Sequence, residues 1–171
     1  MESNIYVLDA TAFIGLDFPH LQMIPNSKFY TSLKVESELK DFRSRTNMDI
    51  LKHSGRLQIC NPEESLLKDL KRRIQAIDPK TPLSSVDLDI LTLALQLKGT
   101  LISNDLNLQN AALYLRIPVK IISGKKITHL RKWQLKCLSC GKIDEKGIRI
   151  CPSCGGDMKR VQIYPNNKKL E

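Results

Sequence analysis

The sequence lacks any apolar run long enough to cross a membrane, although 42% of its 171 residues are hydrophobic. Its first ten residues, MESNIYVLDA, contain neither the basic segment nor the cleavage site of a secretory signal. These absences predict a folded, cytoplasmic protein with no membrane segment. The chain is also too short for two full domains, so we expect one main domain and a small appendage.

Acidic residues are scarce in the last third of the chain. Residues 116–171 contain 14 Lys and Arg but only 4 Asp and Glu, whereas residues 1–115 contain 13 and 14. The net charge of +9 therefore comes from the C-terminal part, and a field of that sign attracts polyanions such as RNA or DNA. A solubilising tail is the alternative, but the bases are interleaved with Trp133, Tyr164 and cysteines, which favours nucleic-acid binding.

Disulfides are not expected, because four of the five cysteines form two CxxC pairs in a chain predicted to be cytoplasmic. CLSCG and CPSCG, ten residues apart, are typical of the two knuckles of a zinc ribbon, in which each glycine allows a tight turn. Cys137, Cys140, Cys151 and Cys154 would bind one structural Zn²⁺, with an iron centre as the alternative. Cys60 ends an apolar run and is predicted to be a small buried thiol without chemistry.

Short apolar runs alternate with helical patterns up to residue 122, which predicts an α/β fold, a parallel sheet covered by helices. The predicted strands are residues 4–9, 28–31, 56–60, 100–103 and 119–122. Helices are predicted after the first strand with Thr11 as a cap, after the cap Ser32, and over residues 62–77, 85–97 and 106–115. We expect a main domain at 1–122, a basic linker at 123–133, a zinc ribbon at 134–165 and a basic tail at 166–171.

Four carboxylates fall where such a sheet would gather them. Strand C-termini and helix N-termini share one edge of a parallel βαβ sheet. Asp9 ends the first predicted strand, Asp105 follows the strand 100–103, and Asp87 lies in the first helical turn after Ser84. Glu38 is about a turn and a half into its helix, within reach of the same edge. Each acid alone could be a cap, a turn residue or a surface acid, so the site depends on their convergence.

Helical spacing separates two of these acids from their neighbours. Glu38 falls on an apolar stripe that continues to Phe42, whereas Glu36 falls on a charged stripe. Asp87 aligns with apolar residues, whereas Asp89 aligns with the more polar side of its helix. Carboxylates that face a core are costly unless a metal ion or a hydrogen-bond network satisfies them.

A divalent cation would relieve the repulsion among converging carboxylates. Hard oxygen ligands suit Mg²⁺ or Mn²⁺, one or two ions, which activate water for attack on a phosphodiester and stabilise the leaving oxygen. The hydroxyls of Thr11 and Ser103 could support the ligands, with strand-end and capping roles as the alternative.

The C-terminal module is predicted to contact RNA through its basic side chains, with Trp133 or Tyr164 as a stacking surface. Packing between domains is the alternative for Trp133. The predicted RNA-binding residues are Lys125, Lys126, Arg131, Lys132, Trp133, Lys136, Lys142, Arg149, Lys159 and Arg160.

The blocks VLDATAFI, VESEL, LSSVDLDILTLAL and LISNDLNLQNAA resemble the four motif blocks of PIN-domain nucleases. With the C-terminal zinc ribbon, the chain resembles the archaeal-type Nin-one-binding endonucleases of ribosome maturation. The resemblance implies a divalent-metal-dependent endoribonuclease that trims the 3′ end of precursor small-subunit rRNA on the pre-ribosomal particle, alongside a KH-domain RNA-binding partner. It implies Asp9, Glu38, Asp87 and Asp105 as the acids of the site, and the four paired cysteines as the zinc ligands.

Two positions depart from the family pattern. Ala10 stands where the first block often has a hydroxyl residue, and Asn104 stands where a second acid often precedes Asp105. The second departure removes one potential metal contact, so Asn104 would remain only as a supporting residue. It favours one alternative, a non-catalytic assembly factor that binds rRNA. A toxin-type PIN ribonuclease acting on tRNA or mRNA is the other alternative, and the ribbon argues against it.

Overall fold

A computed structural model describes residues 4–15, 26–75, 83–144 and 148–163. Its main sheet is parallel and five-stranded, in the order β3-β2-β1-β4-β5. The strands are β1 (Asn4–Leu8), β2 (Ser27–Thr31), β3 (Leu57–Ile59), β4 (Thr100–Ile102) and β5 (Val119–Lys120). The predicted helix-covered parallel sheet is therefore confirmed, although β5 ends two residues earlier than the sequence indicated.

Six helices accompany this sheet in the part of the chain that the structure describes. They are α1 (Ala10–Gly15), α2 (Leu33–Glu38), α3 (Phe42–His53), α4 (Glu64–Gln75), α5 (Ser85–Gln96) and α6 (Leu106–Tyr114). The best buried is α5, since seven of its residues are inaccessible, as expected for a helix that is apolar nearly all round. The hydrophobic core takes its buried side chains from Tyr6 through Ile117, between the sheet and these helices.

The strand order places a topological switch point between β1 and β4. The chain runs from β1 outward to β2 and β3, then crosses back through α4 and α5 to β4 on the other side of β1. Loops that leave two neighbouring strands in opposite directions open a crevice at the carboxyl ends of those strands, where open α/β sheets bind ligands. Asp9 follows β1 and Asp105 lies three residues after β4, so both lie at this crevice.

The helix predicted after Ser32 is the one substantial error in the expected elements. Its cap is confirmed, because the Ser32 hydroxyl accepts a hydrogen bond from the Val35 amide at 3.3 Å. The helix then ends at Glu38, and α3 begins at Phe42 with its own cap. The apolar stripe therefore does not continue to Phe42, whose side chain is 87% exposed.

Residues 123–131 connect the main sheet to a second, antiparallel sheet. Gln109 of α6 donates to the Lys125 carbonyl at 3.4 Å and accepts from the Ile127 amide at 3.0 Å. Asn110 exchanges two hydrogen bonds with the backbone of Arg131, at 2.8 and 2.9 Å. The segment predicted as a linker is thus hydrogen-bonded to α6 at Lys125, Ile127 and Arg131.

The second sheet has three strands in the order β7-β6-β8. They are β6 (Lys132–Cys137), β7 (Ile143–Asp144) and β8 (Met158–Ile163). The predicted tail at 166–171 and Tyr164 lie outside the described residues. Among the residues that are described, no helix has both the length and the apolar character needed to cross a membrane.

Candidate functional site

Asp9 occupies the centre of the crevice, at the end of the central strand β1. Its side chain is buried, with the residue 5% exposed. The hydroxyls of Thr11 and Ser103 both donate to Oδ2 of Asp9, each at 2.7 Å. Thr11 lies inside α1 and does not cap it, which corrects the capping role expected from the sequence. Two donors on one oxygen hold the carboxylate in a fixed orientation.

The same two hydroxyls connect Asp9 to the turn between β4 and α6. Thr11 Oγ1 accepts from the Asn104 amide at 2.9 Å, and Ser103 Oγ accepts from the Asp105 amide at 3.0 Å. Asp105 then caps α6, because its Oδ1 accepts from the Leu108 amide at 2.8 Å. The carboxylates that follow β1 and β4 are therefore held in one hydrogen-bonded unit.

Asp87 enters the crevice from the first turn of α5. It forms a capping box with Ser84, in which Oδ2 of Asp87 accepts from the Ser84 amide at 2.7 Å and Ser84 Oγ accepts from the Asp87 amide at 3.1 Å. Burial, followed by the negative charges of Asp9 and Asp105, raises the pKa of Asp87 against the lowering effect of the Ser84 hydrogen bonds. Asp87 therefore caps α5 and also lies near the other acids.

Glu38 is the last residue of α2 and the most accessible of the four acids. Burial and then the negative charges of Asp87 and Asp9 raise the pKa of Glu38, while Lys40 lowers it. Glu38 is therefore influenced by Asp87 and Asp9, and Asp87 by Asp9 and Asp105. These charge interactions extend along the carboxyl edge of the sheet, where the sequence predicted the four acids.

The four carboxylates form an open group. In the described part of the chain, the four paired cysteines are the only metal-ligating cluster with its ligand atoms within 4.8 Å of one another. An open set of hard oxygens fits Mg²⁺ or Mn²⁺, because these ions keep several waters and need few protein carboxylates. Burial first, and then the charges of the neighbouring acids, raise the pKa values of Glu38 and Asp87, and a cation would relieve the repulsion between these acids.

Asp89 is a buried acid that sequence periodicity misplaced. It was expected on the more polar side of its helix, yet it is only 3% exposed. Lys34 of α2 pairs with both of its carboxylate oxygens, at 3.0 and 2.9 Å. This pair joins α5 to α2, so it helps to set the position of Glu38 one turn further along α2. A lysine and an acid 55 residues apart leave no local signal of such a pair in the sequence.

Asn104 is used to fix the chain beyond β5. Its Oδ1 accepts from the amides of Ile122 and Ser123 at 3.0 and 3.1 Å, and its Nδ2 donates to Ser123 Oγ at 3.2 Å. Its Nδ2 also lies 3.1 Å from the position of a Cβ placed on Gly15. Both ends of the side-chain amide of Asn104 are therefore used in hydrogen bonds to this turn. An acid at position 104 would meet the same two backbone donors.

We therefore expect Asn104→Asp to leave unfolding free energy within about 0.5 kcal/mol of the wild type. Asn104→Ala should lower it by about 1–3 kcal/mol, because two backbone amides lose their acceptor. Chemical denaturation of both variants measures this. A tenfold gain in Mn²⁺ affinity for Asn104→Asp would contradict the placement of this side chain in the turn after β5, since that acid would then face the cation.

The second cluster consists of the four paired cysteines. The Sγ atoms of Cys137 and Cys154 are 3.4 Å apart, and those of Cys140 and Cys151 are 3.6 Å apart. Four sulfurs bound tetrahedrally at the Zn–S length would be about 3.8 Å from one another. The cluster can therefore hold one metal ion, with no position open for substrate.

The knuckle turns lower the pKa values of Cys137 and Cys151. Against a backbone hydrogen bond from Gly156, the neighbouring cysteine side chains raise the pKa of Cys154 to about 12. The Cys140 amide lies 3.5 Å from Cys137 Sγ. Backbone donors, first that of Cys140, lower the pKa of Cys137 to about 6. The glycines that follow the pairs, Gly141 and Gly155, have φ of +73° and +71°, as the predicted tight turns require.

Eight of the ten predicted RNA-binding residues have side chains that the structure describes. The side chains of Lys132 and Trp133 lie outside the described residues, although both belong to β6. The other eight residues are exposed: Lys125, Lys126, Arg131, Lys136, Lys142, Arg149, Lys159 and Arg160. Sequence reasoning missed Gln109, a buried amide that attaches the segment carrying some of these bases to α6.

Comparison with known proteins agrees with the geometry. A family model described as the PIN domain of ribonuclease matches residues 6–97. A VapBC2 structure from Rickettsia felis has a TM-score of 0.51 at 18% identity, covering 68% of this chain and 98% of that chain. That likeness concerns the fold alone. Together with the acidic crevice, the match defines the chain as a PIN-domain nuclease.

Three relatives show which family of PIN-domain nucleases the chain belongs to. The endoribonuclease Nob1 of Pyrococcus abyssi is 34% identical over 91% of this chain and 92% of its own length. The ribonuclease VapC1 of Thermoplasma acidophilum is 29% identical over 91% and 77%. The 20S-pre-rRNA D-site endonuclease NOB1 of Saccharomyces cerevisiae is 32% identical over 60% of this chain and 22% of its length. The chain belongs to the Nob1 family of endoribonucleases, as the motif blocks indicated.

Proposed function

We propose that this endoribonuclease processes the 3′ end of precursor small-subunit rRNA during ribosome maturation. The observation that carries the proposal is the combination of an acidic crevice with a basic cysteine module in one chain. The name of the yeast relative, which specifies a pre-rRNA site, supports the same class of substrate. The protein would act in the cytoplasm on the pre-ribosomal small subunit, with a KH-domain RNA-binding protein as its partner.

Asp9, Glu38, Asp87 and Asp105 would hold one or two Mg²⁺ or Mn²⁺ ions. When bound, the cation supplies an activated water and neutralises charge on the leaving oxygen of the phosphodiester. Thr11 and Ser103 would hold Asp9 in one orientation by donating to the same oxygen. Ser84 holds one oxygen of Asp87 and leaves the other free to turn toward the crevice.

The cysteine module would carry one structural Zn²⁺ and contact the RNA backbone. Thiolate sulfurs at these separations suit zinc, and the exposed bases around them suit phosphate. We also propose that residues 1–122 cleave, that 123–133 connect, and that 134–165 bind, with 166–171 as a basic tail. In support of this division, the last residue of the nuclease core is Ile122 among the residues that the structure describes.

The test is incubation of the full chain with Mn²⁺ and an RNA that spans the 3′ end of precursor small-subunit rRNA. A single cut at one position, mapped by primer extension, is expected. An RNA in which the bases flanking that position are exchanged is the control and should resist cleavage.

Two other outcomes would favour the alternatives. Cleavage of tRNA or mRNA in preference to the rRNA fragment would indicate a toxin-type ribonuclease, the class to which the name of the Thermoplasma relative points. Tight RNA binding without cleavage, and without a rise in melting temperature on Mn²⁺ addition, would indicate a non-catalytic assembly factor.

A further inference from the structure

The chain from the end of α2 into the first turn of α3 combines basic residues with an aromatic one. Residues 40–45 read Lys-Asp-Phe-Arg-Ser-Arg, so three bases and one aromatic residue fall within six positions. The first 115 residues are otherwise close to neutral. At 87% exposure, Phe42 is the most exposed of the large hydrophobic side chains in the described residues. A single exposed apolar residue is common on protein surfaces, so a binding role for Phe42 has to be argued from its surroundings.

The position of Phe42 relative to the acids follows from the chain. Glu38 and Phe42 are four residues apart, so their Cα atoms are separated by at most about 14 Å. The far end of α3 leads into β3, and the Arg56 carbonyl there accepts from the Phe29 amide of β2 at 2.8 Å. Hence α3 ends near the amino edge of the sheet. Its first residue, Phe42, lies toward the carboxyl edge, where the acids are.

The backbone under Phe42 is held firmly. Asp41 caps α3, because its Oδ1 accepts from the Ser44 amide at 2.8 Å and its Oδ2 accepts from the Ser44 hydroxyl at 2.5 Å. Arg45 Nε donates to the Leu39 carbonyl at 2.7 Å, which closes the turn from the other side. Leu39 itself is buried. The turn therefore presents the Phe42 ring to solvent from a preorganised backbone, which lowers the entropic cost of binding a ligand.

We propose that Phe42 is a stacking platform for an unpaired RNA base next to the phosphodiester that is cut. Lys40 and Arg43 are exposed, lie two residues before and one residue after Phe42 in the chain, and would contact the phosphates on either side of that base. Aromatic rings between basic side chains are the usual means of holding single-stranded nucleic acid. The proposal rests on the proposed nuclease function, and it assigns a substrate contact to the nuclease domain in addition to the ribbon. Phe42 is a positioning residue and carries no role in bond cleavage.

Single-turnover cleavage of a single-stranded precursor fragment tests the platform. Phe42→Ala should raise the apparent KM by about 5- to 150-fold, the range of one lost base–aromatic stack, with a much smaller change in kcat. Phe42→Tyr should retain wild-type KM, whereas Phe42→Leu should resemble the alanine variant. Leu66→Ala, at an exposed apolar residue on α4, is the matched control and should leave both constants unchanged.

The Phe42 variants distinguish stacking on an RNA base from contact with a protein partner. If Phe42→Leu binds RNA as well as the wild type, the ring is not stacked on a base, and the proposal is wrong. If Phe42→Ala has an unchanged KM while the wild type cleaves, the platform fails and the nuclease function stands. An apolar protein partner would be indicated by Phe42→Ala losing partner binding and not RNA affinity.

A binding readout keeps the test independent of cleavage. The chain has a single tryptophan, so a Phe42→Trp variant in a Trp133→Phe background carries one fluorophore, at the platform. Single-stranded RNA should quench its fluorescence, and fully paired RNA should not. Quenching without cleavage would support the platform and count against the proposed nuclease function, whereas cleavage without quenching would overturn the platform alone.

Discussion

Asp9→Asn should reduce cleavage of the precursor fragment by at least about 10²- to 10³-fold and leave RNA affinity nearly unchanged. Asp9 is the buried centre of the acidic crevice, and its charge is the one that both Glu38 and Asp87 sense. A bound cation is worth several kcal/mol to the transition state, and each 1.36 kcal/mol corresponds to a factor of ten in rate. Asparagine keeps an acceptor for Thr11 and Ser103, so the local fold should survive.

The control for this prediction is Asp49→Asn, which removes one negative charge from an exposed position on α3. It should cleave at the wild-type rate. Cleavage rates under single-turnover conditions and RNA affinity by fluorescence anisotropy distinguish loss of chemistry from loss of binding. Retention of cleavage in an Asp9→Asn, Asp105→Asn double variant would contradict a metal-dependent mechanism at this crevice.

Cys137→Ser should release the metal of the cysteine module and unfold the three-stranded sheet around it. In the described part of that module, the buried hydrophobic residues are Leu135, Cys137 and Cys151, which is too small a core to fold alone. Structural zinc sites contribute about 10–16 kcal/mol of apparent binding free energy, which here would be folding free energy. The five-stranded sheet has a separate core and should retain its melting transition.

Metal content and limited proteolysis measure this effect. Cys60→Ser is the matched control, since Cys60 lies outside the module and is half-buried, and burial raises the pKa of its thiol. That variant should keep one bound metal ion and a protease-resistant ribbon. RNA affinity should fall in the Cys137 variant alone if the ribbon binds substrate. A Cys137 variant that keeps its metal and its resistance to protease would show that the four sulfurs do not form one site.

Local patterns in the sequence were sufficient for much of the fold. The Ser32 and Ser84 caps, the buried helix α5 and the parallel sheet follow from signals within a few residues of one another. The error at Phe42 has a physical cause. Periodicity records which residues share a stripe only while a helix continues. The local signal for the break is Asp41, a preferred N-cap residue that starts α3, and the apolar stripe runs past it. Asp89 was misplaced because its partner Lys34 comes from a different helix.

The candidate acids, the two cysteine pairs and the class of fold could be predicted from the sequence, because each depends on residue type and short spacing. The relations between these parts depend on the tertiary structure. It joins Asp9 to the Asp105 turn through two hydroxyls, uses Asn104 to hold the chain after β5, and leaves Phe42 exposed at the start of α3. Those relations join residues far apart in the chain or depend on where a helix ends. Such features are fixed by packing, because the energy that selects them comes from long-range contacts and not from local propensity.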